Sequence, residues 1–231
     1  MEAKTSFSYN FYDKKPVDLI YNGDAHFMAD GYLRLVKSNS DGRAGEDSFG
    51  RVLYPNVVQM YRQEEKADFE TTVTFILNPQ SDKPADGLVF FMVPMGYSFP
   101  ARPIGGSLGL YKDQANPQVF AVEFDIFPNH WDPFFPHVGI NIESRVSKMV
   151  TQIPLSFLGK EVTLKITYAA AIGLISARAT AGRQSVETSF VCDLSKILPQ
   201  RVNIGLAAAT GAYYAIHNVN SWKFDSDITK K

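Results

Sequence analysis

The chain has 231 residues, 45% hydrophobic and 20% charged, with a formal net charge of −1. That size supports one large core and a single domain over residues 1–231. A charge so near zero leaves no basic field for nucleic acid or an anionic membrane, which excludes both as partners.

The opening MEAKTSFSYNFY lacks the cationic and apolar segments of a secretion leader, and the longest apolar stretch, Tyr168 to Ala177, is too short to cross a bilayer. The expectation is a soluble chain without membrane insertion, either secreted or vacuolar after loss of a leader, or cytoplasmic. FSYNFY (7–12) and YLRLVK (32–37) are short β-prone runs, and the polar stretch from Ser38 to Gly50 reads as a connection. In DFETTVTFIL, Phe69, Thr71, Val73, Phe75 and Leu77 alternate with Glu70, Thr72, Thr74 and Ile76, the period of a strand with one buried face.

LVFFMV (88–93), QVFAVEFDIF (118–127), HVGINIES (137–144) and VTLKITY (162–168) continue the series. ISARATA (175–181), VETSFVCDL (186–194), RVNIGLAAA (201–209) and NSWKFD (220–225) complete it, with turn signals such as NGD, DGY, PIGGS and ATAGR between runs. Only SKIL, between Asp193 and Pro199, reads as a helical turn, and Pro199 limits it. Cys192 has no partner for an internal disulfide and no basic neighbour, so it reads as a small buried apolar residue. So many strands without βαβ alternation must stack, which predicts an all-β jelly-roll sandwich of two antiparallel sheets.

One stretch carries chemistry. AVEFDIFPNHWDPFFPH places Glu123 and Asp125 two residues apart, hence on one face of a strand, with Val122, Phe124 and Ile126 on the other. Two adjacent carboxylates against an apolar core need a compensating partner, and a divalent cation is the simplest. Asn129 and Asp132 offer further oxygens and His137 an imidazole, a set that suits calcium or an octahedral manganese-type ion. The bland alternative is a solvated strand face followed by turn-forming Asn and Asp.

These residues resemble the signature region of legume lectins. PADGLVFF (84–91), GGSLGLY (105–111) and the run from Leu194 through SWKF resemble further motifs of that family in the same order, so the similarity covers nearly the whole chain. The resemblance implies a concanavalin-like jelly roll and no enzymatic activity. It implies a Mn2+ (or other transition-metal) site from Glu123, Asp125, Asp132 and His137. It also implies a Ca2+ site from Asp125, the Phe127 carbonyl, Asn129 and Asp132, with Ser147 touching a metal-bound water. The implied saccharide pocket combines Asp86, the Gly106 N–H, Asn129, the Phe127 ring, Ala212 and Tyr213, with a cis peptide before Asp86. Its partners would be glycans or glycoproteins, met by a homodimer or homotetramer, and the length of the GAYYAIHNVNSW loop resembles that of mannose/glucose-binding members.

The sequence departs from the family at Ile126, in the shortened MVTQIPLSFLGKEVTL segment, in the irregular YPNVVQMYRQEEKADF segment, and at the unusual Tyr213. Two other readings compete. A jelly-roll glycoside hydrolase would need a second glutamate after VEFD, where Phe127 and Pro128 stand. A lectin-like defence or storage protein would have lost the metal ligands or the pocket aspartate, all of which are present.

Overall fold

The computed structural model describes residues 4–13 and 15–228; residues 1–3, 14 and 229–231, the ends of the expected domain among them, lie outside the described residues. The first strands are β1 (Lys4–Asn10), β2 (Ile20–Gly23), β3 (His26–Met28), β4 (Tyr32–Arg34), β5 (Phe49–Leu53), β6 (Val58–Gln59) and β7 (Tyr61–Arg62). The middle of the chain supplies β8 (Glu65–Pro79), β9 (Gly87–Pro94), β10 (Ala115–Asp125), β11 (His137–Ser144) and β12 (Met149–Gln152). It ends with β13 (Glu161–Ala169), β14 (Leu174–Ala181), β15 (Gln184–Val191), β16 (Arg201–Ala209) and β17 (Ala215–Ile228).

All pairings are antiparallel, in two sheets. One sheet runs β15-β14-β13-β8-β17-β4-β3, with β1 also on β17 and β7 on β8; the other runs β12-β11-β10-β9-β16-β5-β2, with β6 on β16. The period-2 pattern places the sheets face to face. Phe69, Val73, Phe75, Leu164, Ile166, Trp222 and Phe224 of the first sheet pack against Phe90, Met92, Phe120, Val122, Phe124, Ile140 and Leu206 of the second. This is the predicted two-sheet jelly roll.

A second apolar cluster lies on the outer face of the β9-β10-β16 sheet, where Val89, Phe91, Val93, Ala121 and Ala207 are covered by Leu108, Leu110 and Tyr111 from the connection after β9. That connection must therefore run across the sheet rather than out into solvent, and this brings its glycines over the strand ends.

Several short elements escape the sequence reading. β2, β3, β6, β7 and β12 span only 2–4 residues each, too short to show a period. Besides the turn at Leu194–Lys196, single 3-10 turns occur at Gly105–Ser107 and Leu155–Phe157; one turn has no apolar repeat to detect. Cys192 is only partly buried, packed at the margin of the main core.

Candidate functional site

Three adjacent strands end at one place. Gly87, the first residue of β9, lies opposite Asp125, the last of β10, on one side and Ala209, the last of β16, on the other. Register alone therefore gathers Asp86, the segment after Asp125 and the loop after Ala209, though they are distant in the chain. The Asp86 backbone is fixed at this junction: its N–H donates to the Ala209 carbonyl (3.0 Å) and its carbonyl accepts from the Ile126 N–H (2.9 Å). The Ala85–Asp86 peptide is cis, as the resemblance implies.

On the outer face of β10 and β11, Glu123 stands opposite Gly139, and Asp125 opposite His137. All three side chains are buried, Glu123 at 2%, Asp125 at 3% and His137 at 0% exposure. His137 Nε2 lies 3.2 Å from Glu123 Oε1, and the Ser147 hydroxyl donates to that same oxygen at 2.6 Å. Gly139 makes this approach feasible, because a Cβ there would overlap the Ser147 hydroxyl and the Glu123 carboxylate.

Donor atoms of Glu123, Asp132 and His137 lie within 4.8 Å of one another. Asp125 sits beside this trio without joining it, and its Oδ1 accepts the Phe127 N–H at 2.8 Å. Asp132 is held by a turn closed on both sides: its Oδ2 accepts the Asn129 N–H (2.9 Å) and its own N–H donates to the Asn129 carbonyl (3.0 Å).

Electrostatically the group is short of positive charge. Burial first, then the charges of Glu123 and Asp132, push the Asp125 carboxyl well above the ordinary carboxylate range. Burial, opposed by the Asn129 N–H and reinforced by Glu123, raises Asp132 to about 6. Burial alone would lower His137, but the hydrogen bond and charge of Glu123 outweigh it and the imidazole is raised. A divalent cation would supply the missing charge, and hard oxygens with one imidazole are a fitting donor set. The Asn129 Oδ1 atom, buried and without a hydrogen-bond partner, points the same way.

Next to this cluster stand the residues of the implied saccharide cradle. Asp86 is 3% exposed, burial pushes its carboxyl up to about 7, and its Oδ2 has no partner. Gly105 and Gly211 flank that buried carboxyl, and a Cβ at Gly211 would lie 3.6 Å from Oδ2. The Gly105 N–H donates to the Thr210 carbonyl (3.0 Å), which docks the Gly105–Ser107 turn on the loop after β16. Gly106 abuts Asn129 and Trp131. The Phe127 and Tyr213 rings stack at 5.5 Å, while Ala212 and Tyr213 are exposed at the rim. The structure thus brings Glu123, Asp132 and His137 together, with Asp125 and Ser147 beside them, and sets Asp86, Gly106, Phe127, Asn129 and Tyr213 in adjoining segments, while Ala212 lies exposed next to Tyr213.

Other residues of the site carry no signal in the sequence alone. The polar stretch 38–50 is more than a connection: Ser48 exchanges hydrogen bonds with Thr210 (2.8 and 3.1 Å), and the Thr210 hydroxyl donates to the Gly45 carbonyl (2.6 Å). Arg145 lies 3.7 Å over the Trp131 ring, backing the side of the cradle that Gly106 abuts. Tyr111 is fully buried with an unpartnered hydroxyl near the acidic group, raised by burial and then by Glu123 and Asp125. WDP and GGSLGLY contain two of these residues, and only the folded register reveals what they touch.

The family profile described as Legume lectin domain matches residues 4–231. The chain belongs to the legume lectin family. A mannose/glucose-specific lectin of Centrolobium tomentosum is 32% identical over 235 residues, 96% of this chain and 96% of that one. The mannose-specific lectin CML-2 of Centrolobium microchaete is also 32% identical, over 96% of this chain and 95% of that one. Among solved structures, winged bean acidic lectin complexed with methyl-α-D-galactose superposes with a TM-score of 0.91 at 30% identity, covering 98% of this chain and 100% of that one.

As a legume lectin the protein binds carbohydrate and is not an enzyme. The competing glycoside hydrolase reading also lacks its second acid, because Phe127 and Pro128 occupy the positions it requires.

Proposed function

We propose that this legume lectin binds glycans of the mannose/glucose type in the Asp86 cradle, in a manner that depends on Ca2+ and Mn2+ or another transition metal. The observation that carries this reading is the buried Asp86 carboxyl with an unpartnered oxygen, set between two glycine-lined loops. Glu123, Asp125, Asp132 and His137 would hold the transition metal. Asp125, the Phe127 carbonyl, Asn129 and Asp132 would hold calcium, with Ser147 near a metal-bound water. When bound, the ions would supply charge compensation for the carboxylates and hold the turn that carries Phe127 and Asn129.

The chain's own groups then read a sugar by shape and polarity. Asp86 accepts from sugar hydroxyls, the Gly106 N–H donates to one, and the Asn129 amide can donate or accept. The Phe127 ring covers the apolar face of a pyranose, with Ala212 and Tyr213 closing the rim. Charged hydrogen bonds contribute about 1.5–3 kcal/mol each, so one open, wet site gives weak affinity. Useful strength needs several sites meeting several glycan arms, which favours a homodimer or homotetramer.

The two Centrolobium relatives and the length of the Gly211–Trp222 segment, of which only Gly211–Tyr214 is loop and the rest belongs to β17, support mannose or glucose; the galactoside-bound winged bean lectin supports the alternative. A second reading, a lectin-like defence or storage protein that has lost sugar binding, is favoured by one observation: Tyr213 already stacks on Phe127. A glycan array with and without EDTA separates these. Binding to mannosides or glucosides that EDTA abolishes supports the proposal, and signal confined to galactosides overturns the specificity. Asp86→Ala should abolish binding with the fold retained; undiminished affinity in that variant removes Asp86 from the pocket.

A further inference from the structure

Lys83 stands three residues before Asp86, at the rim of the same cradle. Its ammonium lies 5.4 Å from the centroid of the Tyr213 ring, and that ring is the one stacked on Phe127. The backbone beneath it is pinned: the Ser81 hydroxyl lies 2.9 Å from the Lys83 carbonyl and 3.3 Å from the Tyr214 carbonyl, which ties this turn to the loop carrying Tyr213. Pro84 follows and stiffens the chain further.

Among the described residues, no carboxylate is in ion-pair contact with Lys83, although its neighbour Asp82 is exposed beside it. The other cations of this rim are engaged, Arg102 with Asp47 at 3.1 Å and Arg145 with the Trp131 ring. Lys83 is therefore a cation steadied by an aromatic face and left without a counter-charge.

We propose that Lys83 makes this rim a subsite for an anionic substituent of the bound glycan, a sulfate ester or the carboxylate of a uronic acid. The inference rests on the saccharide pocket proposed above. A carbohydrate seated against Phe127 extends past Tyr213, and a negative group on it meets an ammonium that has no competing partner. A neutral ligand gains nothing from that charge, so Lys83 sets preference and leaves basal affinity alone.

The test uses the 231-residue chain loaded with Ca2+ and Mn2+ on an array pairing neutral manno-, gluco- and galacto-oligosaccharides with the same chains bearing one sulfate or one uronic acid. At low salt, at least one acidic member should bind about two- to five-fold tighter than its neutral partner, the range of an exposed charge pair. Lys83→Met should bring that ratio to one with neutral binding unchanged, Lys83→Arg should keep it, and salt near ~1 M should erase it. The sulfate and uronate arms separate the two sources of charge. No preference in the wild type, or a preference that survives Lys83→Met, overturns the proposal while leaving the neutral pocket standing. Absence of binding to every member, neutral and acidic, refutes the pocket itself.

Discussion

His137 Nε2 lies 3.2 Å from Glu123 Oε1, and both side chains are buried. The two come from neighbouring antiparallel strands, two residues apart in register and so on one face, and their approach is fixed by the sheet and not by a loop. If the pair exists to hold a transition ion, His137→Ala removes a donor without disturbing the Ca2+ donors. Mn2+ affinity should fall by at least about ten- to hundred-fold, since even outer-shell losses cost that much. Competitive titration with a metal indicator reads this directly, and unchanged Mn2+ affinity would show that the pair is merely structural.

Asp125 and Asp132 tie stability to pH in the metal-free protein. A carboxyl whose pKa is higher in the fold than in the unfolded chain contributes stability at low pH and loses it as pH rises through the folded value. For Asp132 that window runs from 3.8 to about 6, and Asp125 extends it upward. A bound cation replaces the lost protons. The Tm gap between metal-loaded and EDTA-treated protein should therefore be smallest near pH 4 and widen by several degrees toward pH 7, about 1 kcal/mol moving Tm by ~2–4 °C at this size. A gap that does not vary with pH contradicts this account.

Gly106 has no room for a side chain, because a Cβ would lie 2.7 Å from Asn129 Cγ and 2.8 Å from Trp131 Cζ2. Gly106→Ala must push apart the turn and the Asn129 segment. Overpacking of this kind costs about 1–3 kcal/mol, and here the displaced groups are those proposed to face the sugar. Saccharide affinity should drop about ten-fold or more in calorimetric titration, with far-UV circular dichroism unchanged; wild-type affinity in this variant argues against Gly106 as a pocket residue.

His217 is a fully buried imidazole of β17 whose Nδ1 lies 2.9 Å from the Ala215 carbonyl and whose Nε2 has no partner. Burial lowers its pKa from 6.5 to about 4. The unfolded chain takes up the proton first, so this residue's contribution is complete above about 6.5 and is lost as pH falls toward 4. At about 1.4 kcal/mol per unit, the loss approaches ~3 kcal/mol. Comparing metal-free wild type with metal-free His217→Gln cancels the carboxylates: the stability difference between them should shift by that amount between pH 7 and pH 4. Parallel profiles count against a buried neutral imidazole.

The alternation in DFETTVTFIL and VTLKITY already requires strands with one buried face, and the absence of helical periods requires that they stack. The clustering of Glu123, Asp125, Asn129, Asp132 and His137 is equally local, because a strand puts alternate residues on one face and a tight turn follows. Such features depend on neighbours within a few residues, which is why a sequence displays them. Cross-strand register is another matter. That Gly87 faces both Asp125 and Ala209, that Ser48 splints Thr210, and that Lys83 comes to rest over Tyr213 are outcomes of which strands lie side by side. No local pattern encodes them, since pairing is decided by burying both sheet faces at once, and a slip of one residue would turn every side chain to the wrong face.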